Sequence, residues 1–197
     1  MKKMKILTLA VLVILLQNCQ QTEQVTKPNL SVNQLADVLK TDSYLDYEKL
    51  ISLAVDYSSE LELNYHGLSK DQLFIINSTI SKYPTPEMLI KNASQEEIKL
   101  ISVIAPGQSP EKEFIVLRDK LSSKYTYDRK DLVNLISEKI KNETVNSTSR
   151  VACGDERCQH EAMAAYFLYL SDGIGSSDYA RAFMYGVYYH CRISACN

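Results

Sequence analysis

Apolar residues recur along this chain at helical intervals. Tyr47, Leu50, Ile51, Ala54, Tyr57 and Leu61 form one such series, and Leu73, Ile76 and Ile80 another. Phe114, Leu117, Leu121 and Tyr125, then Leu132, Leu135, Ile136 and Ile140, repeat the pattern further on. Spacings of three and four residues place each set on one stripe of a helix and predict that the stripe is buried. Start signals agree with the stripes. Ser31 with Gln34, Ser69 with Gln72 and Ser94 with Glu97 have the capping-box spacing, in which two side chains satisfy free backbone donors reciprocally. Thr85-Pro86 and Ser109-Pro110 set a cap before a first-turn proline. The signals together predict helices over 31–40, 44–62, 69–82, 86–92, 94–105, 110–125 and 128–142. No segment alternates with the period of a strand.

Two more helical runs follow residue 153, joined by DGIGSSD and flanked by CGDERC and CRISAC. Cys153 and Cys158 are five apart, as are Cys191 and Cys196, and the inner and outer pairs share a midpoint at 174.5, inside the turn Gly173-Ile174-Gly175. An antiparallel helical hairpin folded there brings equidistant residues level, pairing Cys158 with Cys191 and Cys153 with Cys196. Five helical residues turn by about 500°, so Cys153 and Cys158 cannot both face one partner from within a helix. With Gly154 or Asp155 as the N-cap, Cys153 falls outside the helix and Cys158 in its first turn. The local pairing, Cys153–Cys158 with Cys191–Cys196, stays open. Four thiolates around zinc are the remaining alternative, although structural zinc sites usually space their ligand pairs more closely. The fold expected is therefore all-α: a multi-helix domain ending in a disulfide-stapled antiparallel helical hairpin.

The first residues change the picture. Lys2, Lys3 and Lys5 precede an apolar run over 6–16, which is too short to cross a bilayer as a helix and has the form of an export signal. It ends in Leu16-Gln17-Asn18-Cys19. This segment resembles the lipobox of bacterial lipoproteins, in a relaxed form because Gln17 and Asn18 stand where small residues are commonest. The resemblance covers the signal segment alone. It implies cleavage before Cys19, a diacylglycerol on the Cys19 sulfur and an acyl chain such as palmitate on its amine. Gln20, in the place where an aspartate would favour retention in the inner membrane, points to the outer membrane of a cell envelope. Five cysteines are an odd number, and a lipidated Cys19 leaves four to pair.

The expected organisation is a signal peptide over 1–18, a lipidated cysteine and polar tether over 19–30, and a helical body over 31–142. A polar linker or loop over 143–152 (KNETVNSTSR lies across it) and the hairpin over 153–197 complete it. The residues from Cys19 onward carry 19 Lys and Arg against 24 Asp and Glu, a net charge of −5. That balance argues against nucleic-acid binding and against electrostatic attachment to anionic lipid, so membrane lipid is reached through the acylated cysteine. Five N-x-S/T sequons, at Asn29, Asn77, Asn92, Asn142 and Asn146, serve in a bacterial protein as polar caps and loops.

Candidate chemistry is sparse. His160, Glu161 and His190 would come nearly level in the hairpin and are the candidate metal ligands, although HExxH spacing is absent because Ala164 occupies the second histidine position. Partly exposed surface histidines are the plainer reading. Tyr166, Phe167, Tyr169, Tyr179, Phe183, Tyr185, Tyr188 and Tyr189 interleave with Ala162, Ala164, Ala165, Ala180, Ala182 and Gly186. The mixture suits close helix packing against a core, or a surface for an envelope partner. No nucleophile elbow, Cys-x-x-Cys or EF-hand loop occurs, and no cofactor is expected. The function expected is that of a non-enzymatic envelope lipoprotein. The alternatives are a precursor of an exported toxin-like or antimicrobial hairpin over 153–197, and a metal-dependent hydrolase.

Overall fold

The computed structural model describes residues 26–102, 109–144, 155–172 and 177–196. Nine helices account for most of these. They are α1 (Val32–Lys40), α2 (Tyr44–Gly67), α3 (Lys70–Ser81), α4 (Pro86–Asn92), α5 (Gln95–Ser102), α6 (Glu111–Lys124), α7 (Arg129–Thr144), α8 (Asp155–Ser171) and α9 (Ser177–Cys196). The all-α class is thereby established, and the one pairing of extended backbone among the described residues is an isolated bridge between Asn29 and Thr126.

The helix starts follow the capping signals. Ser31 and Gln34, and Ser69 and Gln72, form complete reciprocal boxes. Ser94 accepts the Glu97 N–H at 3.2 Å while the Glu97 carboxylate accepts the Ser94 N–H at 3.0 Å. Thr85 caps α4 through the N–H of Met88. Each such cap contributes about 1 kcal/mol by satisfying donors that the helix cannot. Ser109-Pro110 behaves differently: α6 begins at Glu111, and the Ser109 hydroxyl accepts the Glu111 N–H at 3.2 Å and also pairs with a tyrosine of the core. Helix α2 continues to Gly67, past the expected stop at 62, because nothing interrupts it before that glycine. Helix α7 likewise runs to Thr144, two residues beyond expectation. Residues 103–105, expected at the end of α5, lie outside the described residues.

The hairpin α8–α9 occupies the centre. Against α8 pack α2, α6 and α7, and against α9 pack α4 and α5. Tyr166, Phe167, Ala180, Ala182, Met184, Tyr185 and Tyr188 are all buried, together with Leu50, Ile51, Ala54 and Tyr57 of α2. Tyr57 stacks on Tyr166 with ring centroids 5.7 Å apart, and Phe114 of α6 meets Phe167 at 5.1 Å. The aromatic and small residues of the hairpin thus belong to the main core. Gly186 is where α9 passes α4, with Leu89 and Pro86 directly against it.

Polar contacts fix the directions. Lys120–Asp46 and Lys49–Glu113 run α6 antiparallel to α2. The Tyr47 hydroxyl donates to the Leu135 carbonyl at 3.3 Å, and Lys139 meets Glu48, so α7 runs parallel to α2. Thr144–His160 at one end and Arg129–Asp172 at the other make α8 antiparallel to α7. One end of the molecule consequently gathers the α1–α2 turn, the α6–α7 loop and the last residue described after α8. The start of α8 lies about 25 Å away along that helix of 17 residues, at about 1.5 Å per residue.

Candidate functional site

The chain reaches the body through residues 26–30, and these are fastened. The Leu30 N–H donates to the Thr126 carbonyl at 2.8 Å, and the Thr126 N–H donates to the Pro28 carbonyl at 3.0 Å. Lys27 adds a bond from its ammonium to the Ser122 carbonyl at 2.6 Å. Thr126 sits in the short α6–α7 loop, which is itself tied to the α1–α2 turn by the Tyr125 hydroxyl donating to Asp42 at 3.1 Å. Beside that turn, at the first two positions of α2, Tyr44 is 52% exposed and Leu45 is 81% exposed. Cys19, the expected lipidation site, lies outside the described residues.

At the far end of α8, Cys158 and Cys191 form a disulfide with Cα atoms 5.5 Å apart. This is the inner pair expected from the shared midpoint, and both cysteines are buried. The Arg157 guanidinium lies 3.8 Å from the Cys191 sulfur. Cys153 and the side chain of Cys196 lie outside the described residues, and so does the outer pair.

The metal candidates are engaged in other contacts. His160 Nε2 lies 2.7 Å from the Thr144 hydroxyl, so its ring turns toward α7. Glu161 faces Arg157 at 3.4 Å, one turn away on the same helix. His190 packs edge-on against Tyr189, and its Nε2 is buried. Lys141, Arg157, His160 and Glu161 line a depression of about 390 Å³ whose cations outnumber its single carboxylate. Among the described residues no group of three His, Cys, Asp or Glu side chains is placed to hold a metal ion.

A polar cluster within the core was not anticipated from the sequence. The Tyr166 hydroxyl lies 2.6 Å from the Ser109 hydroxyl, and the Glu111 carboxylate accepts the Ser177 hydroxyl at 2.8 Å. Tyr57 and Tyr185 complete the cluster, with the Arg181 guanidinium close enough to act on all three phenols. Loss of hydration on burial raises the Tyr166 phenol to about 12 and raises Tyr57 and Tyr185 as well. Beside it, Ser109, Glu111, Lys112, Ile115 and Val116 line an open depression of about 340 Å³. Apolar spacing marks Tyr57 and Tyr166 as core. An arginine amid an aromatic run carries no sequence signal for its place beside three phenols.

A third polar site joins α3 to α5. The Glu97 carboxylate receives the Lys82 ammonium at 2.8 Å, the Tyr83 hydroxyl at 2.9 Å and its own cap N–H. The lysine contact foremost, then the cap and the phenol, hold Glu97 down at about 2.

Comparison of the chain with protein-family models, with curated proteins and with solved structures finds no match.

Proposed function

We propose that this chain is a lipoprotein of a bacterial cell envelope, held on the membrane by acyl chains at Cys19, whose helical body has a structural or binding role and performs no catalysis. The observation that carries the reading is the sequence itself: three lysines, an apolar run over 6–16, and Leu16-Gln17-Asn18-Cys19. The Cys158–Cys191 disulfide supports it, because buried disulfides belong mainly to chains that mature outside the reducing cytosol. The fastening of residues 26–30 to the α6–α7 loop fits a tether that starts at a fixed point of the body. More than one acyl chain gives stable attachment, where a single chain binds only marginally.

Intact mass of protein extracted from membranes tests the reading. Diacylglycerol and acyl mass on a chain beginning at Cys19, with Cys19→Ala protein unmodified and recovered in the soluble fraction, is the expected result. Cys19→Ala protein that stays membrane-bound overturns it.

The released-hairpin alternative has the core against it. Freed from the body, residues 155–196 would expose Tyr166, Phe167, Met184, Tyr185 and Tyr188, all buried here against other helices or each other.

A further inference from the structure

We infer that the end of the body formed by the α1–α2 turn and the α6–α7 loop rests on the membrane, with Tyr44 and Leu45 seated in the lipid interface. The inference rests on the lipoprotein reading above and adds to it an orientation and a contact surface.

Three observations converge on this end. The first is reach. Thr26 lies seven positions beyond Cys19, so the acylated cysteine is at most about 25 Å of extended chain from the fastened segment. Since Lys27 and Leu30 are bonded to Ser122 and Thr126, the α6–α7 loop is the part of the body held nearest the lipid. Helix α2 spans 24 residues, about 36 Å, and carries α3 to the opposite end.

The second is apolar exposure in the right place. Tyr44 and Leu45 open α2, and side chains in a helix lean toward its N-terminus, here toward the tethered end. Leu45 is the most exposed of the large apolar side chains described, at 81%. Its neighbours Tyr47 and Leu50 are buried in the core, whereas Leu45 is not among the described hydrophobics packed against it. Tyrosine suits the headgroup level, where its ring is shielded and its hydroxyl stays wet.

The third is charge. The residues that build this end hold six Lys and Arg (Lys27, Lys40, Lys120, Lys124, Arg129, Lys130) against six Asp (Asp37, Asp42, Asp46, Asp128, Asp131, Asp172), with Lys120 and Arg129 facing Asp46 and Asp172, so the charges balance. The chain from Cys19 onward is −5, so the rest of the surface is strongly acidic by comparison. A balanced end meets less repulsion from an anionic bilayer than an acidic body does on average.

The test uses the absence of tryptophan from the sequence. Leu45→Trp and, as the distal control, Phe74→Trp each place one reporter on an exposed helical site; Phe74 lies on α3 and is 73% exposed. Acylated full-length protein of each is reconstituted into phosphatidylethanolamine–phosphatidylglycerol vesicles with and without brominated acyl chains, and the lipid mass is verified on the same sample. Seated about 5–10 Å into the interface, the reporter at 45 loses about half its emission to bromine, and the reporter at 74 keeps its own. Equal quenching at both positions, or none at 45 in protein that carries the lipid and sediments with the vesicles, overturns the docked orientation and leaves the lipoprotein reading intact. Protein that is neither acylated nor vesicle-bound overturns both.

Discussion

The hydroxyls of Ser109 and Tyr166 lie 2.6 Å apart, joining the residue before α6 to the middle of α8 inside a cluster of buried phenols. Tyr166 and Tyr47 are pushed up to about 12, and Tyr57 and Tyr185 are also raised, in each case chiefly because burial penalises the phenolate. A raised folded-state value leaves stability intact below the unfolded value of 10.0 and removes it as pH climbs toward the folded one. The protein is therefore expected to unfold cooperatively between pH 10 and about 12, each phenol contributing about 1.4 kcal/mol per pH unit. Phenolate absorbance and helical circular dichroism should change together. Gradual titration of these tyrosines near pH 10, with the helices intact, would refute it.

Acid acts through Glu97. Its carboxyl is lowered from 4.5 to about 2, first by the Lys82 ammonium. A depressed value contributes stability that is present above 4.5 and lost as pH falls toward 2. Glu97→Gln should flatten the stability profile in that window and loosen the α3–α5 junction. Denaturant melts of both proteins across the window provide the check; parallel profiles would show that Glu97 carries none of the acid dependence.

The Cys158–Cys191 disulfide spans a separation of 33 residues. Chain-entropy arguments assign a loop of that size about 3–4 kcal/mol. The Cys158→Ala, Cys191→Ala double variant is expected to lose about that much in urea unfolding while keeping its helical content at low denaturant. A loss well under 1 kcal/mol would mean that another link already restrains the hairpin in the unfolded chain.

Gly186 permits the crossing of α9 over α4. A Cβ there would come within 3.1 Å of Leu89 Cδ2 and 3.4 Å of Pro86 Cβ. For alanine, a helix-propensity gain of about 1 kcal/mol offsets the crowding of a buried leucine, so Gly186→Ala should change stability by less than about 1 kcal/mol. Gly186→Leu has no such offset and should cost about 2–3 kcal/mol. Thermal melts that rank the two alike would remove Gly186 as the spacer of this contact.

Helix positions were legible because their signals are local. Ser31, Ser69, Thr85 and Ser94 sit where the caps form, and the stripes from Tyr47 to Tyr57 and from Phe114 to Leu121 are the ones buried. The inner disulfide was legible for a related reason: mirror symmetry about a turn fixes register between two helices. Periodicity says which face of a helix is apolar and nothing of what covers it. Hence the place of the hairpin at the centre of the fold, and the place of Arg181 among three phenols, depend on helices far away in sequence. His160 illustrates the limit. The hairpin register sets it nearly level with His190, yet a third helix, α7, supplies Thr144 and takes its ring.

Because α8 and α9 are what the earlier helices pack around, synthesis delivers the centre of the core last. A ribosome releases α1 to α7 before the surfaces that receive Tyr57, Phe114 and Ile136 exist. Until Tyr188 has emerged they lack the faces of α8 and α9 that they pack against, so closure of the core is expected to come late. For a chain that must be threaded through a membrane, as proposed above, late closure keeps it slack enough to pass. On that reading the Cys158–Cys191 disulfide would form after passage and fasten α8 to α9.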